Sequence, residues 1–248
     1  MNAWRLEWLR LTRSPRWLVL AGVYLFFGLL GPVMAKYLQQ IVSQVQSGVK
    51  VSFPPPTPAT GITEYIGQAS QTGLIVVVVI AAGALSFDAR PGLSLFLRTR
   101  AASIWQIVTP RFAVNAAAAL AAYVLGTLAA WYETALLLGA PPAGAMLAGM
   151  VCGCVYLVFA ITVVAVASSF ARSTLAIVGL ALAALLVLPV LGTVRQVHDW
   201  LPSTLVNAPA ELVTGGHLYD YRPALATAAV AGALLLAAAV ARLRTREL

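Results

Sequence analysis

Apolar residues in this chain run in six long blocks separated by short polar or turn-forming stretches. The blocks cover approximately residues 17–37, 65–87, 112–138, 145–167, 174–194 and 223–243. Each is about as long as the roughly 20 apolar residues a helix needs to cross a hydrocarbon core about 30 Å thick. In that medium every backbone N–H and C=O needs a partner inside the segment, and a single span finds one only as a helix. The pattern predicts an all-α, polytopic membrane protein with six transmembrane helices. They form one transmembrane domain over residues 1–248 and leave no room for a soluble catalytic domain.

The first boundary has a local signature. Ser14 is placed to cap a helix whose first residue is Pro15, where a missing N–H costs nothing. Before it, Trp4, Trp8 and Leu11 recur at helical spacing, with Arg5, Arg10 and Arg13 elsewhere on the wheel. A helix over residues 1–14 lying in the membrane interface fits this better than a frayed, solvated tail. The apolar run behind it is too long for a secretion signal and lacks a small-residue cleavage site, so it is expected to stay as the first span.

Composition narrows the class: 60% of residues are hydrophobic and 10% charged, too few charges to cover a water-soluble fold. The formal net charge of +8 would suit nucleic acid, but its distribution points elsewhere. Arg5, Arg10, Arg13, Arg16, Arg90, Arg98, Arg100, Arg111, Arg172, Arg242, Arg244 and Arg246 fall on one side of a six-span layout. Only Lys36, Lys50, Arg195 and Arg222 fall on the other. The positive-inside rule then puts both termini in the cytoplasm of a cell membrane, with lipid rather than nucleic acid as the charged partner.

With sides assigned, the loops differ in character. The first outer loop, 38–63, starts glutamine-rich and contains Phe-Pro-Pro-Pro-Thr-Pro at 53–58, a polyproline II pattern read as a stiff spacer rather than a ligand. The loops at 139–144 and 168–173 are tight turns. The inner segment after span two exits through Asp88-Ala89-Arg90-Pro91-Gly92, and 93–109, with Arg98 and Arg100, is expected to form an interfacial helix. That helix serves either as a lipid anchor or as a docking surface for a cytoplasmic protein. The outer segment 195–222 is amphipathic, divided by Pro202 and Pro209, and closed by Gly215-Gly216. Backbone broken at membrane depth is tolerated only when buried in protein or lining a cavity. Pro202, Leu205, Pro209 and Leu212 are therefore assigned to an outer lid over a translocation route.

Catalytic chemistry is sparse. No phosphate-binding loop occurs, and Lys36 and Lys50 are the only lysines, so ATP is not expected to bind this chain through a P-loop. No zinc-protease or nucleophile-elbow motif is present, so no catalytic, cofactor or metal residues are assigned and the chain is not read as an enzyme. His198 and His217 lack further ligands and are read as solvated. Cys152 and Cys154, two apart on a helix, point to nearly opposite sides and are read as packing residues. Glu133 and Lys36 sit near outer span ends, within snorkelling reach of the interface. No carboxylate or histidine occupies mid-span, which argues against an ion-driven carrier. Small residues at 116–119, Gly126, Gly149 and Gly153 instead allow close helix contact.

The arginine-rich entry stretch 4–16, the long inner segment after span two and the broken apolar segment before span six follow one another in a recognisable order. That layout, over essentially the full length, resembles the type 2 permeases of ATP-binding-cassette (ABC) exporters. Asp88, Arg90, Arg98 and Arg100 occupy the place of the family's cytoplasmic coupling segment. Where many relatives carry a Glu-x-x-x-Gly-Thr-like motif, this chain has Asp88-Ala89-Arg90-Pro91-Gly92-Leu93, with one carboxylate. The resemblance implies a half-transporter: two permease copies, or this chain with a related permease, joined to two cytoplasmic ABC ATPase subunits that bind the ATP. The competing reading is a non-transport membrane scaffold or assembly factor.

Overall fold

The computed structural model describes residues 3–45, 55–86, 105–194 and 196–245, and no strand occurs among them. A short helix, α1 (Ala3–Thr12), precedes the first span, α2 (Arg16–Val45). The second span is built from three pieces: α3 (Pro58–Gln68), a π-helical turn (Ala69–Gly73) and α4 (Leu74–Leu85). Then come α5 (Trp105–Leu137), α6 (Ala143–Phe170) and α7 (Thr174–Leu191). Short 3-10 turns at His198–Trp200, Pro202–Val206 and Leu218–Tyr221 surround α8 (Ala208–Val213), and α9 (Arg222–Thr245) is the last span. Among the described residues, six helical stretches of 18 to 30 residues are long and apolar enough to cross a membrane. The protein is an all-α, multi-pass membrane protein, and an even number of spans leaves both ends of the chain on one side. That side is called the terminal side below, and the other the opposite side.

Several boundaries differ from those expected. Helix α2 continues to Val45 and α3 begins at Pro58, so the first loop on the opposite side is much shorter than 38–63. The cause of the early start is the cap. Thr57 is extended, its hydroxyl accepts from the Thr60 N–H at 3.4 Å, the Thr57 N–H donates to the Thr60 hydroxyl at 3.3 Å, and Pro58 occupies the first turn. The end of the proline-rich run is thus a helix start, while Phe53 and Pro54 lie outside the described residues. Ser14 acts in the other direction from the one expected, its hydroxyl donating to the Leu11 carbonyl at the end of α1, at 3.0 Å. Residues 105–109 belong to α5, with Pro110 inside that helix, and not to a separate interfacial helix. Beyond Pro189, α7 stops at Leu191, and turns such as Thr193 N–H to Val190 O (3.2 Å) replace its last expected residues.

Between lipid-embedded helices the outside is as apolar as the inside, so close packing rather than polarity decides which faces meet. Helices α2 and α5 cross where Gly28 meets the Gly126 backbone, and a Cβ on Gly126 would lie 2.8 Å from the Tyr24 carbonyl carbon. Gly31 lies against the Tyr65 backbone, where a Cβ would approach within 2.8 Å. Helix α6 is the central post: 61% of its most apolar window is buried, against 17% for α7, which turns Leu175, Leu186 and Val190 outward.

Candidate functional site

The segment between α7 and α9 folds back into the bundle. Leu201 is extended (φ −82°, ψ 131°), as the residue before proline tends to be, and Pro202 then opens a 3-10 turn. Pro209 sits in the first turn of α8, where its missing N–H is harmless. Gly215, at φ +106°, leaves the helix, and the Gly216 N–H closes it on the Glu211 carbonyl at 3.0 Å. Pro202, Leu205, Pro209 and Leu212 are all buried, together with Ala208 and Ala210, whereas Trp200 and Glu211 remain exposed. Gly149 of α6 admits the segment: a Cβ there would stand 2.9 Å from both the Cβ and the nitrogen of Pro209. The Tyr221 hydroxyl donates to the Glu211 carboxylate, tying α8 to the start of α9.

Beside this plug lies a small, half-open and mostly apolar space of about 20 Å³ lined by Val206 of the segment, Tyr24 of α2, Ser70 of the π-turn, Tyr123 of α5, and Gly153 and Tyr156 of α6, among others. Gly153 and Tyr156 fall in the middle third of the 28-residue α6, so the segment reaches well below the membrane surface. The Tyr24 and Tyr123 rings meet edge to face, with centroids 5.9 Å apart. The π-turn brings Gly73 against the Tyr24 ring, where a Cβ would stand 2.9 Å from Cζ. One layer further, the Thr127 hydroxyl donates to the Tyr123 carbonyl at 2.9 Å. The Tyr65 hydroxyl donates to the same carbonyl at 3.4 Å and shares a 3.1 Å hydrogen bond with the Thr127 hydroxyl, in which either oxygen can be the donor. The Tyr123 hydroxyl itself, fully enclosed, meets no partner among the described residues.

A second, larger space of about 440 Å³ opens between α5, α6 and α9, walled by apolar side chains such as Phe112, Val158, Phe159 and Ala229. Its Thr162 hydroxyl is already bonded to the Val158 carbonyl at 2.9 Å.

At the terminal side, Glu7 of α1 accepts from Arg111 Nε at 3.1 Å and from Arg10 Nη1 at 2.7 Å. Arg111 is buried, and Asn115 Nδ2 donates to its carbonyl at 2.8 Å. Arg242 stacks on the Phe170 ring at 3.9 Å. Trp4 and Trp8 of α1 are exposed. Asp88, Arg90, Arg98 and Arg100 lie outside the described residues.

Sequence reasoning placed the broken segment but missed the tyrosines and the Glu7–Arg111 pair. The signal for the former was available: tyrosine favours the membrane interface, so Tyr24, Tyr123 and Tyr156 in mid-span ask for a buried partner. His198 pairs with its neighbour Asp199, at 3.2 Å, and both histidines are exposed. Among the described residues no group of His, Cys, Asp and Glu is arranged to hold a metal. Cys152 is buried and Cys154 half-buried, both as free thiols, with Cys154 facing the larger cleft. No family model matches the chain, and no curated protein or solved structure matches it. Fold and site together define a six-span helical membrane protein whose bundle is plugged from the side opposite its termini.

Proposed function

We propose that this chain is the membrane-spanning subunit of an ABC-type exporter, forming the substrate route and powered by separate cytoplasmic ATPase subunits. The observation that carries the reading is the plug. A connection that could have stayed in water is folded to mid-membrane depth, in short proline-broken pieces, beside a small space lined in part by tyrosines. Discontinuous helices at membrane depth recur where a route is closed on one face and opened by rearrangement. Two copies of the chain, or this chain with a related permease, flank the route. The termini are cytoplasmic and the membrane is the cell membrane, a placement supported by the crowding of arginines on the terminal side. ATP-driven movement enters through the inner segment with Asp88, Arg90, Arg98 and Arg100.

The test is reconstitution. The purified chain alone turns over no ATP, because it carries no phosphate-binding loop. With its ATPase in vesicles it supports ATP hydrolysis and substrate efflux. ATP turnover by the contaminant-free chain overturns the reading, and failure of any ATPase to co-purify moves the protein to the scaffold class.

A further inference from the structure

We propose that the cleft between α5, α6 and α9 is a binding site for one acyl chain of a membrane lipid. Such a site requires only the six-span fold and stands whether or not the protein is an exporter. The cleft is hollow because one wall is made of small side chains. Ala228, Ala229, Gly232 and Ala233 of α9 line it, and a Cβ on Gly232 would come no closer than 4.0 Å to Phe159 of α6. Its volume of about 440 Å³ falls within the roughly 300–1,000 Å³ of small-molecule sites. Val151, Ala229 and Ala233 are exposed at its mouth, whereas Phe159 and Thr162 are buried at its floor. Left empty, a space of that size would forfeit dispersion contacts along its lining, so the surrounding medium fills it.

Chemistry and shape select the occupant. Thr162 carries the one hydroxyl in the lining, and its proton goes to the Val158 carbonyl at 2.9 Å. Beyond it only the Cys154 thiol departs from hydrocarbon, so no side chain there pairs with a charge or a sugar. The cleft is also short and blind. It runs from Val151 to Thr162 along α6 and from Ala228 to Leu236 along α9. At 1.5 Å per residue that is about 12–16 Å, roughly half of the hydrocarbon core. Toward the terminal side it is closed where Val108 of α5 packs on Val240 and Leu243 of α9, all three buried. A spanning helix from a second copy needs a lane along the whole depth of the membrane, and this one ends part-way. A flexible chain entering sideways from the bilayer needs no such lane. Apolar lining alone does not draw helices together in lipid, so the hold on the acyl chain is one of shape and dispersion.

The test uses the full chain in nanodiscs of phosphatidylcholine, a fraction of which carries a diazirine near the end of one acyl chain. After irradiation the adducts are mapped by mass spectrometry. Phe159 and Cys154 should carry at least as many adducts as Leu186, which is 69% exposed on α7. Gly232→Leu fills the cleft from α9 with a better helix former. It should cut the Phe159 and Cys154 adducts at least tenfold and leave those on Leu186 unchanged, and Ala229→Leu, a second filler, should do the same. Adducts confined to outward residues such as Leu186 overturn the proposal, and so do Phe159 adducts that survive both fillers. A last variant tests for a second copy at the mouth. In a Cys152→Ala, Cys154→Ala background, Val151→Cys should form disulfide-linked dimers on oxidation no faster than Leu186→Cys. Faster dimerisation through Val151→Cys would seat a second copy there and overturn the lipid assignment.

Discussion

Glu7 and Arg111 lie 104 residues apart in the chain, and their contact pins α1 to α5. Two arginines converge on the one carboxylate, but they are not equivalent. Arg10 is 40% exposed, and an exposed ion pair contributes about 1 kcal/mol or less. The Arg111 side chain is only 7% exposed, and removing the partner of a buried charge costs about 3–5 kcal/mol. Glu7→Ala should therefore destabilise the protein more than Arg10→Ala in thermal unfolding, with Arg10→Ala costing under about 1 kcal/mol. Combining Glu7→Ala with Arg111→Met should recover part of the loss, because the buried charge is removed together with its carboxylate. Equal losses for Glu7→Ala and Arg10→Ala would show that burial does not set the energetics here. From the sequence, Arg111 counted only as one more basic residue on the terminal side. Its partner could not be read, since nothing local relates positions so far apart.

The plug is the element whose character was most legible. Pro202 and Pro209 announce short pieces, and the apolar positions between them announce burial; Leu205 and Leu212 are indeed inside. Its close seating was not legible, because it depends on Gly149 of another helix meeting Pro209. Single cysteines at Leu205, Ala208 and Leu212, in a background of Cys152→Ala and Cys154→Ala, should react slowly with a membrane-impermeant thiol reagent at rest. Under ATP turnover with the ATPase of the proposed exporter, they should react faster if the segment acts as the proposed lid. Adding Gly149→Ala sets a methyl against Pro209, an overpacking cost of about 1–3 kcal/mol that should speed labelling of Leu205→Cys at rest. Uniformly fast labelling in every state would mean a solvated loop and remove the lid from the mechanism.

Close helix contacts, with α6 the most buried span, hold the described bundle together, joined by polar links between spans such as Tyr65–Thr127 and Thr174–Ser86. Assembly with other chains is a property of this scale. Arg98→Glu with Arg100→Glu should leave the six spans inserted, as read by protease protection, while ATPase co-purification falls or ATP use uncouples from transport. Normal assembly and efflux in the doubly reversed protein would reassign the 93–104 stretch to a lipid anchor. The span count was readable because a bilayer imposes length and apolarity on every crossing segment, and both are written locally in the chain. The number and order of spans and the broken character of the plug came from sequence alone for that reason. Tertiary structure alone decided which glycines face which backbone, that a π-turn brings Gly73 to the Tyr24 ring, and that the Tyr123 hydroxyl packs against Gly153. Those features depend on how helices distant in sequence turn toward one another. In lipid every face of a span is apolar, so hydrophobic periodicity carries almost no record of that choice.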